Sequence, residues 1–332
     1  MKTDARISRR RFLTASTRVA GLTVAIGIAP QFIRPGRAFA ADKLADGMIG
    51  GPTGFEGAER YQYGAETPEG RAVEAAKALK AKGVSGNYYY SDIPFTAEYG
   101  AKYLGISLPF ASFLLQAATG RLPAVSYIDP AFLGEGQGVS RDDHPLADIR
   151  NGQAFLNQIY DAVRNSPKYD STLLVITYDE WGGFADHVAP GFAPISADEA
   201  KLGNDGRLGF RVPTVIIGPR ARRGHVDHTH FDHTSILNMI VWRFGLTPFY
   251  TRANSSNNLA VALDFDGAAD TTAAPAFDVP GGPFGEPCSL SSLLPGGASL
   301  AQVDAVARTR AAHLLEMQML KNKALRFGYQ VY

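Results

Sequence analysis

Apolar runs alternate with amphipathic stretches through the middle of this 332-residue chain. The clearest run extends from Thr172 to Thr177 and is rich in β-branched residues. Such a run predicts a strand buried on both faces, as in a parallel sheet. The stretch before it, from Ala147 to Arg164, predicts an amphipathic helix, with apolar positions at Ile149, Phe155, Ile159 and Val163. A helix, a buried strand and then a polar loop are typical of a doubly wound α/β fold.

The same patterns predict further elements on both sides of this pair. Strands are predicted at Tyr88–Asp92, Leu122–Ile128 and Val212–Gly218, the last of them buried. Helices are predicted at Pro68–Lys82, Leu108–Thr119, Ser235–Phe244 and Ser299–Arg326. The last helix is expected to pack on the outer face of the sheet through a stripe that includes Leu314, Met317 and Leu320. The tyrosines at 88–90 are expected in the core rather than in a pocket.

Composition is that of an ordinary globular protein. Charged residues make up 20% of the chain and the formal net charge is +1, so no nucleic-acid or membrane-surface partner is expected. The one cysteine, Cys288, excludes an intrachain disulfide. We expect a single α/β domain over 41–332, with an irregular excursion at 266–298 and the C-terminal helix at 299–326.

Residues 1–40 have the pattern of a targeting segment. Ser8-Arg9-Arg10-Arg11-Phe12-Leu13 matches the twin-arginine signal, a mildly apolar stretch follows, and Ala38-Phe39-Ala40 is a small-x-small cleavage site. A membrane anchor is the alternative, but the apolar stretch is shorter than the roughly 20 residues that span a bilayer. The sequence therefore predicts recognition by the twin-arginine export machinery and a periplasmic or secreted mature protein.

Four ionisable residues follow the central strand. Asp179 and Glu180 come directly at its end, and Asp186-His187 follows after the glycine pair Gly182-Gly183. Ligands of open α/β sheets lie just beyond the carboxyl ends of the strands. Two adjacent carboxylates are tolerated when a cation lies beside them, and they suit Mg²⁺, Ca²⁺ or Mn²⁺, while a histidine ligand adds Zn²⁺ or Fe. The alternative is that both acids cap the next segment in water.

Four histidines occur between 225 and 233 and could indicate a metal cluster. The favoured alternative is a loop that enters a helix, with Asp232 or Thr234 as the N-cap. On that interpretation His225, His228 and His230 are not metal ligands.

The wider pattern resembles the bacterial phosphoesterase family that contains non-haemolytic phospholipases C and acid phosphatases, within the alkaline-phosphatase superfamily. The resemblance covers about Leu79 to Phe265. The matching motifs, in the family's order, are Gly120-Arg-Leu-Pro-Ala-Val-Ser-Tyr-Ile-Asp129-Pro130, Asp143-His144-Pro145, Tyr178-Asp-Glu-Trp-Gly-Gly-Phe-Ala-Asp-His187-Val, Gly209-Phe-Arg-Val-Pro213 and Phe231-Asp-His-Thr-Ser235.

This resemblance implies a largely parallel sheet sandwiched by helices, of alkaline-phosphatase type. It also implies a divalent metal ion of unknown identity at Asp179 and Glu180, and catalytic or phosphate-binding roles for His144 and His187. The implied substrate is a small phosphate ester or a phospholipid head group.

Two family motifs are missing from the sequence. Members carry a Glu-Asn-Arg-Ser-Phe-Asp motif that supplies metal ligands, and later a Ser or Thr nucleophile, so we expect an N-terminally shortened form of the fold. Ser91, Ser126 and Thr177 are hydroxyls in or near predicted strands, but none lies in a matching motif. Three hypotheses remain. The first is an exported metal-dependent phosphoesterase, and the second is a catalytically inactive member that binds metal or phosphate without turnover. The third is an unstable product of a deleted or mis-assembled reading frame. The sequence does not determine the oligomeric state.

Overall fold

The computed structural model describes residues 79–144, 147–179, 186–201, 203–246, 255–285 and 300–332. Its strands are β1 (Gly86–Tyr90), β2 (Ser107–Pro109), β3 (Val125–Ile128), β4 (Leu174–Thr177) and β5 (Thr214–Ile217). Its helices are α1 (Phe110–Ala118), α2 (Ile149–Arg164), α3 (Ala197–Lys201), α4 (His233–Phe244) and α5 (Leu300–Arg326). A kinked 3-10 helix spans Phe95–Ile106, and 3-10 turns lie at Glu135–Gln137, Tyr169–Ser171 and Leu259–Ala262.

The strands form two ladders. β1 is the middle strand of a three-stranded parallel sheet in the order β2-β1-β3, with Tyr88 opposite Ser107 on one side and Tyr127 on the other. β4 pairs with β5 in antiparallel orientation, with Val175 opposite Ile216. The parallel sheet and its flanking helices confirm the predicted α/β fold class.

Alternating side chains of β1 make the two faces of the sheet. Tyr89 points to one face and packs with Phe113 of α1 and with Phe155 of α2. Tyr88 and Tyr90 point to the other face, where they pack with α5 side chains Met317, Leu320 and Ala324. Because successive side chains of a strand alternate, this one strand joins two core layers. The predicted sandwich and the predicted core position of the three tyrosines are both confirmed.

The central strand β4 is buried on both faces, as predicted. Leu174 packs in the layer of α1 and α2, whereas Val175 packs with Ile236 and Met239 of α4. β5 lies within the strand predicted at Val212–Gly218, but its predicted burial was wrong, because Val215 is 52% exposed. β5 lies beside β4 at the end of this ladder, and within the described ranges no third strand pairs with it.

Helix boundaries follow local capping signals. The Asp148 side chain accepts a hydrogen bond from Arg150 N, so α2 begins at Ile149. Ile149 itself is 57% exposed, which corrects its predicted place in the buried stripe, because it precedes the turns that pack on the sheet. Asp232 caps α4 and Ser235 completes a capping box, which confirms the predicted loop-to-helix entry.

Two other boundaries differ from the prediction. α1 begins at Phe110, because residues 107–109 pair with β1 as β2 and Pro109 occupies the N-cap position. The stripe of α5 is also shorter than predicted: Met317 and Leu320 are buried, but Leu314 is 39% exposed. The contact of α5 with the sheet is carried by its C-terminal half, among the side chains that are described there.

Part of the predicted organisation lies outside the described residues. This applies to the twin-arginine segment and the rest of 1–78, to Glu180, and to 286–299 with Cys288. Of the helix predicted at Pro68–Lys82, residues 79–81 are described and helical. Gly83 follows with a φ of 67°, the left-handed conformation expected of a residue that ends a helix.

Candidate active site

Three strands deliver a carboxylate just beyond their carboxyl ends. Asp92 follows β1, Asp129 follows β3 and Asp179 follows β4. Burial raises the pKa of Asp129, and the charges of Asp179 and Asp92 raise it further, so Asp129 lies within electrostatic reach of both other carboxylates. This places the polar end of the fold where open α/β proteins bind ligands.

Asp129 is the most enclosed of the three. Its side chain is 2% exposed and accepts a hydrogen bond from the hydroxyl of Tyr88, which in turn accepts one from Phe95 N at 3.0 Å. Burial raises the pKa of Asp129 well above its usual range, and the Tyr88 hydrogen bond opposes this shift without cancelling it. Burial likewise raises the pKa of Tyr88, to which the charge of Asp129 adds. The pair is thus a buried, hydrogen-bonded unit at the end of the sheet rather than an exposed ligand.

Asp92 is held by backbone amides. Its Oδ1 accepts from Ile93 N and its Oδ2 from Leu133 N, both at 2.6 Å. Burial raises its pKa to about 6, although these hydrogen bonds act in the opposite direction. Asp92 therefore joins the end of β1 to the loop after β3 and brings the acidic loop of 133–144 to the site.

A small cleft opens between this loop, the end of β4 and α2. Its volume is about 30 Å³, which is enough for ordered water. The polar side chains that line it are Arg141, Asp142, Asp143, Thr177, Tyr178 and Asp179. Its apolar wall includes Phe155, Ile159 and Ile176. Asp179, one of the two predicted metal ligands, therefore lies in a cleft.

Asp143 anchors the acidic loop to both β4 and α2. The hydroxyl of Tyr178 donates to Asp143 Oδ2 at 2.6 Å. Burial raises the pKa of Asp143, and the Tyr178 hydrogen bond acts to lower it. The carboxylate also lies against Gly152, where an added Cβ would come within 2.0 Å of Asp143 Oδ1.

His144 faces a buried glutamate. Its Nδ1 lies 3.4 Å from Oε2 of Glu135, whose side chain is fully buried while that of His144 is 25% exposed. The two make an ion pair when the imidazole is protonated. A buried carboxylate at one ring nitrogen helps to orient the imidazole.

The structure does not bring His187 into the lining of this cleft. Its side chain is 88% exposed, and its Nδ1 lies 3.5 Å from Asp186 Oδ1. Arg211 donates two hydrogen bonds to Asp186, from Nε to Oδ2 at 2.7 Å and from Nη2 to Oδ1 at 2.8 Å. The Arg211 guanidinium holds the pKa of Asp186 well below its usual range. Asp186 is therefore tied to a residue shortly before β5, and the predicted catalytic role of His187 stays a prediction.

Among the other histidines, His233 lies beside the cleft. Its Nε2 is 2.8 Å from the carbonyl oxygen of Tyr178, which places the start of α4 next to the end of β4. His225 instead faces Asp227, with Nε2 to Oδ2 at 3.8 Å. No group of three or more His, Cys, Asp or Glu side chains among the residues described is arranged to hold a metal ion.

The donor chemistry nevertheless fits a hard cation. Asp179 lies among carboxylates whose charges disfavour one another, and such oxygens are the preferred ligands of Mg²⁺, Ca²⁺ and Mn²⁺. Glu180, the second predicted ligand, lies outside the described residues. Asp179 is therefore the one predicted ligand for which the structure provides an environment.

Several residues of the site were not singled out from the sequence as site residues. They are Asp92, Glu135, Arg141, Asp143, Gly152 and Tyr178. The local patterns Asp142-Asp143-His144 and Tyr178-Asp179-Glu180 indicated His144, Asp179 and Glu180 as site residues. The contacts made by the six residues named above join segments that are far apart in the chain, and no local pattern reveals such contacts. Arg141 is the exception, because an arginine three residues before a candidate phosphate-binding histidine is a recognisable signal.

In the portion that the structure describes, no helix is long and apolar enough to cross a membrane.

Comparisons with known proteins agree with the geometry. A model of the phosphoesterase family matches residues 61–247, more than half of the chain. Non-specific phospholipase C6 of Arabidopsis thaliana is 31% identical over 223 residues, which cover 61% of this chain and 42% of that protein. Non-specific phospholipase C1 of the same plant is 34% identical over 178 residues, or 48% of this chain and 33% of the relative. Phospholipase C B of Mycobacterium tuberculosis is 34% identical over 149 residues, which cover 40% of this chain and 27% of that protein. The chain spans less than half the length of these relatives.

Proposed function

This chain belongs to the phosphoesterase family, and from that premise we propose that it is a metal-dependent hydrolase of phosphate esters, with its site at the carboxyl ends of β1, β3 and β4. One observation carries the proposal. The structure places Asp179 in a cleft that is bordered by the loop of His144, so a candidate metal ligand and a candidate phosphate-binding histidine come from two segments that the fold brings together.

Asp179, together with Glu180, would hold a divalent cation. Such a cation would neutralise charge on the phosphate oxygens and thereby favour attack on phosphorus. Arg141 offers a guanidinium at the same cleft, where its planar donors suit two phosphate oxygens. Its positive charge would offset the carboxylates that share the cleft, so that an anionic ester can enter.

Water is the nucleophile that this arrangement favours. The hydroxyl of Ser91 donates to Asp129 O at 3.1 Å, Thr177 Oγ1 lies 2.8 Å from Thr214 Oγ1, and Ser126 is fully buried next to Tyr89. Ser91 and Ser126 are not among the residues that line the cleft. Thr177 does line it, but its side chain is buried and hydrogen-bonded to Thr214, whereas the cleft has room for water. Its oxygen would form a new bond to phosphorus as the bond to the leaving alcohol breaks.

His144 is the proposed proton donor to the leaving alcohol oxygen. The buried carboxylate of Glu135 lies 3.4 Å from His144 Nδ1 and would form an ion pair with the imidazolium that donates the proton. The proton is then delivered from the opposite ring nitrogen, and the alcohol departs neutral. His187 is kept as a second donor to phosphate oxygens.

The relatives' names indicate the substrate class. Non-specific phospholipases C and phospholipase C B suggest that a phospholipid head group, or a small ester with the same phosphodiester, is the natural substrate.

We further propose that the chain is exported through the twin-arginine pathway, on the strength of Ser8-Arg9-Arg10-Arg11-Phe12-Leu13. Replacing both Arg9 and Arg10 with lysine is expected to leave the protein in the cytoplasm as an uncleaved precursor. Export of that variant at the normal level would contradict the proposal.

The activity is tested by hydrolysis of p-nitrophenyl phosphate and p-nitrophenyl phosphorylcholine. The chain is first treated with a chelator and then supplied with Ca²⁺, Mg²⁺, Mn²⁺, Fe²⁺ or Zn²⁺ in turn. We expect hydrolysis that the chelator abolishes and one cation restores, with the diester preferred. A well-folded sample that binds the cation or inorganic phosphate but releases no p-nitrophenol would establish the inactive alternative instead.

A further inference from the structure

We propose that Tyr178 is a positioning residue, which acts with Asp143 and Gly152 as a clamp that sets His144 relative to Asp179. The proposal rests on the proposed function, because it concerns the two groups expected to act on the same phosphate. Neither the hydroxyl of Tyr178 nor the carboxylate of Asp143 needs to touch substrate for this role.

The clamp joins the two segments at the residues next to the candidate groups. Tyr178 directly precedes Asp179, and Asp143 directly precedes His144. The hydrogen bond from Tyr178 Oη to Asp143 Oδ2, at 2.6 Å, links positions 35 residues apart. A shift of either segment is therefore passed to the other through one short contact.

The backbone conformation of Asp143 and the position of its carboxylate are both restricted. Its φ is 59°, a left-handed conformation that is uncommon for a residue other than glycine and is kept only where the surroundings enforce it. Its carboxylate fits against the backbone of α2 because Gly152 has no side chain, as an added Cβ would lie 2.0 Å from Oδ1. The absent side chain at 152 and the hydroxyl at 178 thus fix the same carboxylate from two directions.

Further contacts fix the position of each end of the clamp. The Tyr178 carbonyl oxygen lies 2.8 Å from His233 Nε2, at the start of α4. On the other side, His144 Nδ1 lies 3.4 Å from the buried Glu135. The candidate groups are therefore positioned by a chain of contacts that runs from α4 through Tyr178 and Asp143 to the acidic loop.

Such a link matters because catalysis is sensitive to small displacements. Misplacing a reacting group by about 1 Å lowers a rate by about 100-fold, even when the substrate still binds. Loss of the clamp is therefore expected to lower kcat while KM changes little.

The first test replaces Tyr178 with phenylalanine. We expect kcat for p-nitrophenyl phosphorylcholine to fall at least 10-fold, with KM within about threefold of the wild-type value. The matched control is Tyr160→Phe, which removes a hydroxyl that donates to Pro275 O at 2.7 Å and takes no part in the clamp. A kcat for Tyr178→Phe equal to that of Tyr160→Phe would overturn the proposal.

The second test replaces Gly152 with alanine, which displaces Asp143 without touching Tyr178. We expect a similar fall in kcat. The double variant Tyr178→Phe/Gly152→Ala should be no slower than the slower single variant, because both substitutions disrupt the same clamp. Multiplied losses in the double variant would show two independent effects and contradict the clamp.

A measurement without turnover separates this proposal from the proposed function. The imidazole resonances of His144, assigned from their loss in His144→Gln, should shift in Tyr178→Phe and stay unchanged in Tyr160→Phe. If the wild-type chain shows no hydrolysis, the proposed function fails and this shift alone decides the clamp. Unchanged His144 resonances in Tyr178→Phe would refute it.

Discussion

At the scale of the residue, the site depends on acidic groups that the fold keeps out of water. Asp129 is 2% exposed and its described hydrogen-bond donor is the Tyr88 hydroxyl. The same hydroxyl also accepts from Phe95 N. A single tyrosine thus satisfies two buried polar groups at the carboxyl edge of the parallel sheet.

Replacing Tyr88 with phenylalanine is expected to destabilise the protein. The change leaves the Asp129 carboxyl and the Phe95 amide buried without their partner, which lowers the free energy of unfolding by about 1–3 kcal/mol. Urea unfolding measures the loss. Tyr332→Phe is the control, because Tyr332 is 57% exposed and its loss should change stability far less. Equal effects of the two substitutions would contradict this account of Asp129.

The raised pKa of Asp92 predicts a pH dependence of stability. Its pKa of about 6 in the folded chain exceeds the usual carboxyl value of 3.8, so the folded chain binds this proton more tightly than the unfolded chain. The contribution of Asp92 to the free energy of unfolding therefore falls as pH rises from about 4 to about 6, by up to about 3 kcal/mol, and is constant above that window.

Unfolding measured at several pH values in the wild type and in Asp92→Asn isolates this effect. The difference in unfolding free energy between the two proteins should change between pH 4 and 6 and stay level from pH 7 to 8. A difference that is the same at every pH would show that Asp92 titrates normally.

The site residues that could be predicted from the sequence were those that lie next to a clear local sequence pattern. Asp179 follows an apolar strand, and His144 lies in an Asp-His-Pro string, so both could be named without a structure. The contacts of Asp143 with Gly152 and of Glu135 with His144 could not be predicted, because they depend on how the acidic loop lies against α2. The position of His187 was predicted from its motif, and the structure shows that side chain exposed.

At the scale of the element, the helices are positioned by short stretches of their apolar faces. α5 contacts the β1 face through Met317, Leu320 and Ala324, all at most 4% exposed. The salt bridge from Lys323 Nζ to Glu98 Oε2, at 2.7 Å, adds a polar link to the 3-10 helix. The C-terminal half of α5 thus covers the sheet face that carries Tyr88.

Truncating Leu320 to alanine is expected to lower the free energy of unfolding by about 2–5 kcal/mol, because a fully buried leucine leaves a cavity. Leu314→Ala is the matched control on the same helix, since Leu314 is 39% exposed, and it should have a much smaller effect. Chemical denaturation of both variants measures the contrast. Comparable losses would mean that α5 packs through its whole apolar stripe, as its sequence alone suggested.

Elements were predictable where periodicity and capping agreed. β4, α2 and α4 combine a clear apolar pattern with a terminal signal, and each appears close to its expected place. β5 has the same apolar composition as β4 but lies at the end of its ladder, and composition does not distinguish a covered strand from an exposed one. The split of the predicted Leu108–Thr119 helix into β2 and α1 results from pairing with β1, a long-range effect.

At the scale of the whole molecule, the fold brings three strand ends and one acidic loop to a common edge. The α/β class followed from the order of amphipathic and apolar stretches, and the family match over residues 61–247 agrees with it. The antiparallel pairing of β4 with β5 did not follow, because strand direction depends on the path of the connecting loop. The central claim is that hydrolysis takes place at this edge, with Asp179 as an essential metal ligand.

The most direct test compares hydrolysis by the wild type, Asp179→Asn and Asp170→Asn at saturating cation. The two aspartates flank β4: Asp179 follows its carboxyl end in the cleft, whereas Asp170 precedes its amino end and is exposed. We predict a fall in kcat/KM of at least about 100-fold for Asp179→Asn, or about 3 kcal/mol of transition-state stabilisation, and wild-type activity for Asp170→Asn. Equal activity of folded Asp179→Asn and wild type would contradict the claim and place the chemistry elsewhere.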